Sequence, residues 1–168
     1  MKTEIFVALI SVFYIVGLGL LGYGLWSAWR STEAAHWPTA AGAVTQIALN
    51  ETPGSADDGP TYEVKVEYTY TVAGTEYRGS RVAFGYSASG DRASQAEIHD
   101  KLKAAKSVDV RYDPADPATS ALSFGIHRSI RFFIVFAVTW LAFVFGFTLI
   151  WWVSTANDGV LLQNISVQ

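Results

Sequence analysis

Three histidines, two proline-flanked aspartates and a scatter of glycines are the residues of this chain whose types and spacing could do chemistry. A nucleophilic site needs Ser or Thr beside a His or Lys base, with a carboxylate to orient the base. His36 and His127 instead stand at the edges of long apolar runs, and His99 lies between Ile98 and Asp100 with no second histidine at ligand spacing. The reading for all three is interfacial or solvent-facing. Asp113 and Asp116 could offer oxygens to a hard cation, but each precedes a proline, which is a turn arrangement. Asp57-Asp58-Gly59 lacks the regularly spaced ligands of a calcium loop. Gly79, Gly85 and Gly90 do not join a strand to a helix at the spacing of a phosphate-binding turn. With no cysteine, disulfides, thiolate nucleophiles and Cys-rich zinc sites are excluded. No catalytic, cofactor-binding or metal residue is assigned, no cofactor is expected, and the chain is read as not an enzyme.

The elements that must carry these residues divide sharply by composition. Hydrophobic residues make up 51% of the 168 and concentrate at the two ends, while the charges, net -3, lie mostly between. That charge is mixed in sign and holds no Lys/Arg run able to neutralise a phosphate backbone, so nucleic acid is not an expected partner. From Ile5 to Trp29 no side chain is charged, and about 25 residues at about 1.5 Å rise exceed a hydrocarbon core of roughly 30 Å. A secretory signal is the rival reading, but its apolar stretch is normally only about 7 to 15 residues. A second span is expected over residues 131–153. It begins after His127 and Arg128 and ends in Trp151-Trp152, an interfacial pair. The expected organisation is a short tail at 1–4, a span at 5–29, a β-rich domain at 30–130, a span at 131–153 and a polar tail at 154–168.

Trp29, Arg30, Arg128, Arg131, Trp151 and Trp152 are the expected boundary anchors, their long or amphipathic side chains reaching the headgroups. Gly17, Gly24 and Ala28 on the first helix, with Ala142 and Gly146 on the second, are candidates for a helix-packing interface. The phenylalanines of the second span, among them Phe132, Phe133, Phe136, Phe143, Phe145 and Phe147, are read as lipid-facing. Arg30, Arg128 and Arg131 lie on the domain side against Lys2 on the other, which leans the domain to the cytoplasm with both termini opposite. Neither span holds an acidic residue, Lys or His in its interior, which argues against an ion path.

In the middle, Tyr62, Val64, Val66, Tyr68, Tyr70 and Val72 alternate with polar residues, predicting a half-buried strand. Ala73-Gly74 is a tight turn, with Thr75 to Phe84 as the returning strand and Tyr77 and Val82 on its core face. Ala43 to Leu49 predicts another strand, and Asn50 to Pro60 an exposed loop. Ser87 to Gly90 leads to an amphipathic helix near 91–106, with Ile98 and Leu102 on one face. Val108, Val110 and Tyr112 form a last strand that the two prolines stop, and Ala121 to Phe124 a brief edge. The fold class is a membrane protein of α+β type, two transmembrane helices flanking a small, mainly antiparallel sheet with one helix. Asn164-Ile165-Ser166 matches a glycosylation triplet, which is too short to carry weight.

Trp37, Pro38, Gly42 and Val44, then Tyr68-Thr69-Tyr70 with Val72, Gly74, Tyr77 and Gly79, then Val110-Arg111-Tyr112-Asp113-Pro114 with Asp116-Pro117 and Leu122, occur in a telling order. Together with the flanking apolar runs, this order resembles a bacterial family catalogued as domain of unknown function 3592. The resemblance covers most of the chain from the end of the first span through the second. It implies a two-span protein of the bacterial inner membrane with a β-rich insert, and it carries no established reaction or ligand.

The function expected is that of a non-enzymatic, membrane-anchored interaction protein, an accessory subunit of a larger membrane complex. Its partners would be the lipid bilayer and either another protein or a second copy, met through the helices or the sheet edge. The alternatives are an immunity or envelope-stress protein that binds a toxic or signalling protein, and a membrane enzyme whose site the sequence does not reveal.

Overall fold

A computed structural model describes residues 2–55, 59–156 and 159. Asp57 and Asp58, the tail residues Asn157 and Asp158, and the Asn164-Ile165-Ser166 triplet lie outside the described residues. The order of elements is helix α1 (Lys2–Glu33), a 3-10 turn (Ala34–His36), strands β1 (Thr39–Thr52), β2 (Thr61–Val72) and β3 (Thr75–Gly79), helix α2 (Arg92–Ala104), strands β4 (Val108–Tyr112) and β5 (Ser120–Ala121), and helix α3 (Arg128–Thr155). Both terminal helices are long and apolar enough to cross a membrane. The chain forms two compact units, one of Met1–Gly22 with Ile134–Gln168 and the other of Tyr23–Phe133.

In the helical unit, Ala137 and Val144 of α3 are buried, and Leu141 meets α1 where Gly17 provides room. A Cβ on Gly17 would come within 2.6 Å of Leu141 Cδ2 and 2.8 Å of Trp140 Cδ1, a small-residue approach typical of close helix pairs. Tyr14 and Thr148 join their hydroxyls at 3.2 Å, the Trp140 indole donates to the Phe13 carbonyl at 3.0 Å, and Phe6 stacks on Trp151 at 4.3 Å. Ala142 is exposed, and nothing stands within 4 Å of a Cβ on Gly146. The reason is rotational: each lies two residues from Val144, about 200° around the helix at about 3.6 residues per turn, so the seam uses Trp140, Leu141 and Thr148 in their place. Many other apolar side chains are exposed, Ile15 at 68% and Phe143 at 70%.

The other unit is built on a five-stranded antiparallel sheet in the order β3-β2-β1-β4-β5. The alternation of β2 puts Val64, Val66, Tyr68 and Tyr70 on the buried face, because successive side chains leave a strand on opposite sides. Ala73 and Gly74, both at positive φ (49° and 84°), turn β2 into β3 with the twist that two-residue hairpins favour. Strand β3 ends at Gly79, short of the expected Phe84. Gly79 still pairs with Tyr68, at a position where a Cβ would strike the Tyr68 ring, and beyond it the Arg81 carbonyl accepts from the Tyr68 hydroxyl. Strand β1 is longer than the expected Ala43 to Leu49, since it pairs with β4 through Thr39–Gly42 and with β2 through Gly42–Thr52.

Helix α2 is capped by Asp91, whose carboxylate accepts from the Ser94 amide at 3.2 Å. Its Ile98 and Leu102 pack on the core of Val66, Tyr68, Tyr70, Val82 and Val110. A second buried cluster, Ala34, Trp37, Phe84 and Ala121, sits at the end of α1.

Candidate functional site

Within the Tyr23–Phe133 unit, polar side chains join the sheet to the helix ends at residues 23–33 and 128–133. Arg30, expected as a headgroup anchor, turns its guanidinium onto the domain, with Nη1 on Glu33 Oε2 at 2.9 Å and Nη2 on Asp113 Oδ2 at 3.1 Å. Its carbon lies 4.9 Å from the Trp37 ring centroid and 5.3 Å from that of Phe84, a cation-π arrangement. The Ala115 amide, then Arg30, hold the Asp113 carboxyl below the usual carboxylate range.

Asp113 and Asp116 act as the turn reading expected. Asp113 accepts from the Ala115 amide at 2.9 Å, and Asp116 from the Thr119 hydroxyl at 2.8 Å. Arg111 fastens the 3-10 turn by donating to the carbonyls of Ala35 (2.8 Å) and Trp37 (3.0 Å). Gly85, at φ +68°, lets the segment after β3 pass between the helix ends. A Cβ there would stand 2.9 Å from both Ser27 and Ile130.

Two of the histidines take structural places. His127 Nε2 meets the Phe84 carbonyl at 2.8 Å, and His99 Nδ1 meets Asp100 at 2.9 Å. His36 is exposed. Among the described residues no group of three or more His, Cys, Asp or Glu is placed to hold a metal ion. Of the other expected anchors, Trp29 (59%) and Trp152 (65%) are exposed, as is Arg131. Trp151 is stacked on Phe6, and Arg128 reaches Asp91 at 3.1 Å. Gly24 is buried and Ala28 half-buried.

The unit has an open strand edge. Beyond Gly42 the ladder between β1 and β4 ends, and β1 continues as a two-stranded ribbon with β2 out to Thr52 and Thr61. The β2 side of this ribbon is closed. Tyr62 exchanges backbone hydrogen bonds with Ser89, and the Val64 amide donates to the Tyr86 hydroxyl at 3.0 Å. That hydroxyl in turn donates to Gln95, and burial raises its pKa.

The β1 side differs. Among the described residues no strand pairs with the outer edge of β1 from Ala43 to Thr52. Natural edges are blunted by shortness, proline or charge. The β3 edge is short and carries Glu76 and Arg78, whereas the β1 stretch holds Glu51 alone among charged residues and no proline. Its one irregularity is a register shift between Val44 and Gln46. An open cleft of 760 Å³ lies along the same ribbon, lined by Gln46, Ala48, Lys65 and Glu67 and, from α1, by Tyr23 and Trp26.

The open edge was foreseen from sequence only in general terms. The locks by Arg30, Arg111 and Tyr86 were not, because nothing local to those residues signals a partner tens of residues away. The family model described as Domain of unknown function (DUF3592) matches residues 40–127. No curated protein and no solved structure matches the chain.

Proposed function

We propose, for a chain that belongs to the DUF3592 family, a non-enzymatic role as a membrane-anchored docking protein, an accessory subunit of a larger membrane complex. The observation that carries this reading is the open β1 edge from Ala43 to Thr52. An exposed ladder of amides and carbonyls accepts an extended segment of another chain by strand addition. The membrane anchoring draws support from the outward-facing apolar side chains of α1 and α3. A core helix of a soluble protein would bury them, and their lengths suit a bilayer. The expected location is the bacterial inner membrane, with the domain cytoplasmic and both termini opposite.

A photo-cross-linking residue at Ala48, which is exposed, tests the docking reading in cells. A single protein partner cross-linked in fixed proportion supports it. A second copy of this chain would make the edge a self-association surface and remove the accessory role. Cross-links to lipid alone, or none, would sink the reading.

A further inference from the structure

A second cavity, 390 Å³ in volume, lies in the Tyr23–Phe133 unit between α2, the loop after β3 and the first residues of α3. Its lining is divided by chemistry. Val82, Ile98, Leu102 and Leu122 belong to the core or pack on its rim, and all but Val82 are only half buried. Lys101 and Arg128, both exposed, line it with the hydroxyl residues Ser94 and Ser129, and among the described residues no carboxylate lines the space.

Arg128 pairs with Asp91 at 3.1 Å, and its side chain stays 80% exposed. Lys101 makes no ion pair among the described residues. Ligand sites are mostly apolar concavities with a few convergent polar groups. This one joins an apolar floor to two cations.

We infer that this cavity binds an anionic amphiphile, a phosphate-bearing lipid whose headgroup meets Lys101 and Arg128 while its first methylenes cover Ile98, Leu102 and Leu122. The phosphate chemistry is shared with free inorganic phosphate, and the apolar floor assigns the source to lipid. The inference rests on the membrane anchoring proposed above. Arg128 opens α3, so with α3 as a span this residue marks the headgroup boundary, where basic side chains attract anionic lipid.

The test uses the full chain in a non-ionic detergent. Dihexanoyl phosphatidylglycerol, dihexanoyl phosphatidylcholine and inorganic phosphate are each titrated, and bound adducts are counted by native mass spectrometry. Two surface cations imply that phosphatidylglycerol half-saturates at a concentration about 30-fold below phosphatidylcholine. The double variant Lys101→Gln with Arg128→Gln should abolish that preference, and Lys101→Arg should keep it. Ile98→Trp, which fills the floor, should weaken both lipids.

Equal binding of the two lipids by the native chain, or a preference unchanged in the double variant, would overturn the proposal. Displacement of phosphatidylglycerol by equimolar inorganic phosphate would overturn the lipid assignment in favour of a free-anion site. Alkaline carbonate extraction of cell membranes tests the anchoring separately. Release of the chain by carbonate defeats the anchoring whatever the lipid titration gives.

Discussion

Arg30 at the end of α1 and Asp113 after β4 meet at 3.1 Å across 83 residues of sequence, both side chains more than four-fifths buried. This ion pair ties the first apolar helix to the turn that ends the central strands. It is held in place by Glu33, by the Trp37 and Phe84 rings and by the Ala115 amide.

Replacing Asp113 with Asn should lower stability by about 1.5 to 3 kcal/mol, the range for hydrogen bonds to charged groups, measured by thermal unfolding in detergent. The pH dependence has a definite sign. The folded-state pKa of Asp113 is lowered, so its contribution is fully present above the ordinary carboxylate value and is lost as pH falls through the depressed folded value. Asp113→Asn should therefore flatten the acid limb of the stability profile, and an unchanged limb would show that the pair contributes nothing.

Alkaline pH acts on the buried phenols in the opposite sense. Burial, as the largest cause, raises Tyr68 above its ordinary 10.0, and Tyr70 and Tyr86 likewise. Unfolded tyrosines ionise near that value while these three resist. Their contribution is present below it and is lost as pH rises through the raised folded values. The part of the phenolate absorbance contributed by these three should rise late and together with unfolding, and Tyr68→Phe should shift that transition. No effect of Tyr68→Phe on that late absorbance, with no change in the unfolding transition, would contradict the burial.

Gly17 and Gly146 make a matched pair of tests in the helical unit. Leucine at Gly17 would collide with Leu141 and Trp140 and should destabilise the helix pair by about 1 to 3 kcal/mol, the usual cost of overpacking. Leucine at Gly146 meets open space and should leave stability unchanged. Thermal unfolding of the two variants in the same detergent decides, and equal effects would contradict the seam.

Orientation is read by a reporter inserted at Gly54, in the loop between β1 and β2. The excess of Arg30, Arg128 and Arg131 over Lys2 leads to the expectation of a cytoplasmic signal, and a periplasmic signal would reverse the proposed topology.

The elements visible in the sequence are those whose signal is local and periodic. The two apolar runs, the alternation from Tyr62 to Val72, the Ala73-Gly74 turn and the Ile98/Leu102 face each follow from backbone geometry repeating every two or 3.6 residues, and the structure bears them out. Even so, β3 stops at Gly79, where the Tyr68 ring leaves no room for a side chain, a constraint that lies outside the segment itself.

The tertiary structure alone decided which groups meet. Local pattern separates polar from apolar positions, but it holds no information on register, on helix rotation or on contacts between residues far apart in the chain. That is why Arg30, legible as a cation at the end of an apolar helix, is found against Asp113. It is also why the seam of α3 runs through Leu141 and Val144 rather than Ala142 and Gly146, and why β1 outruns β4 and leaves an edge open.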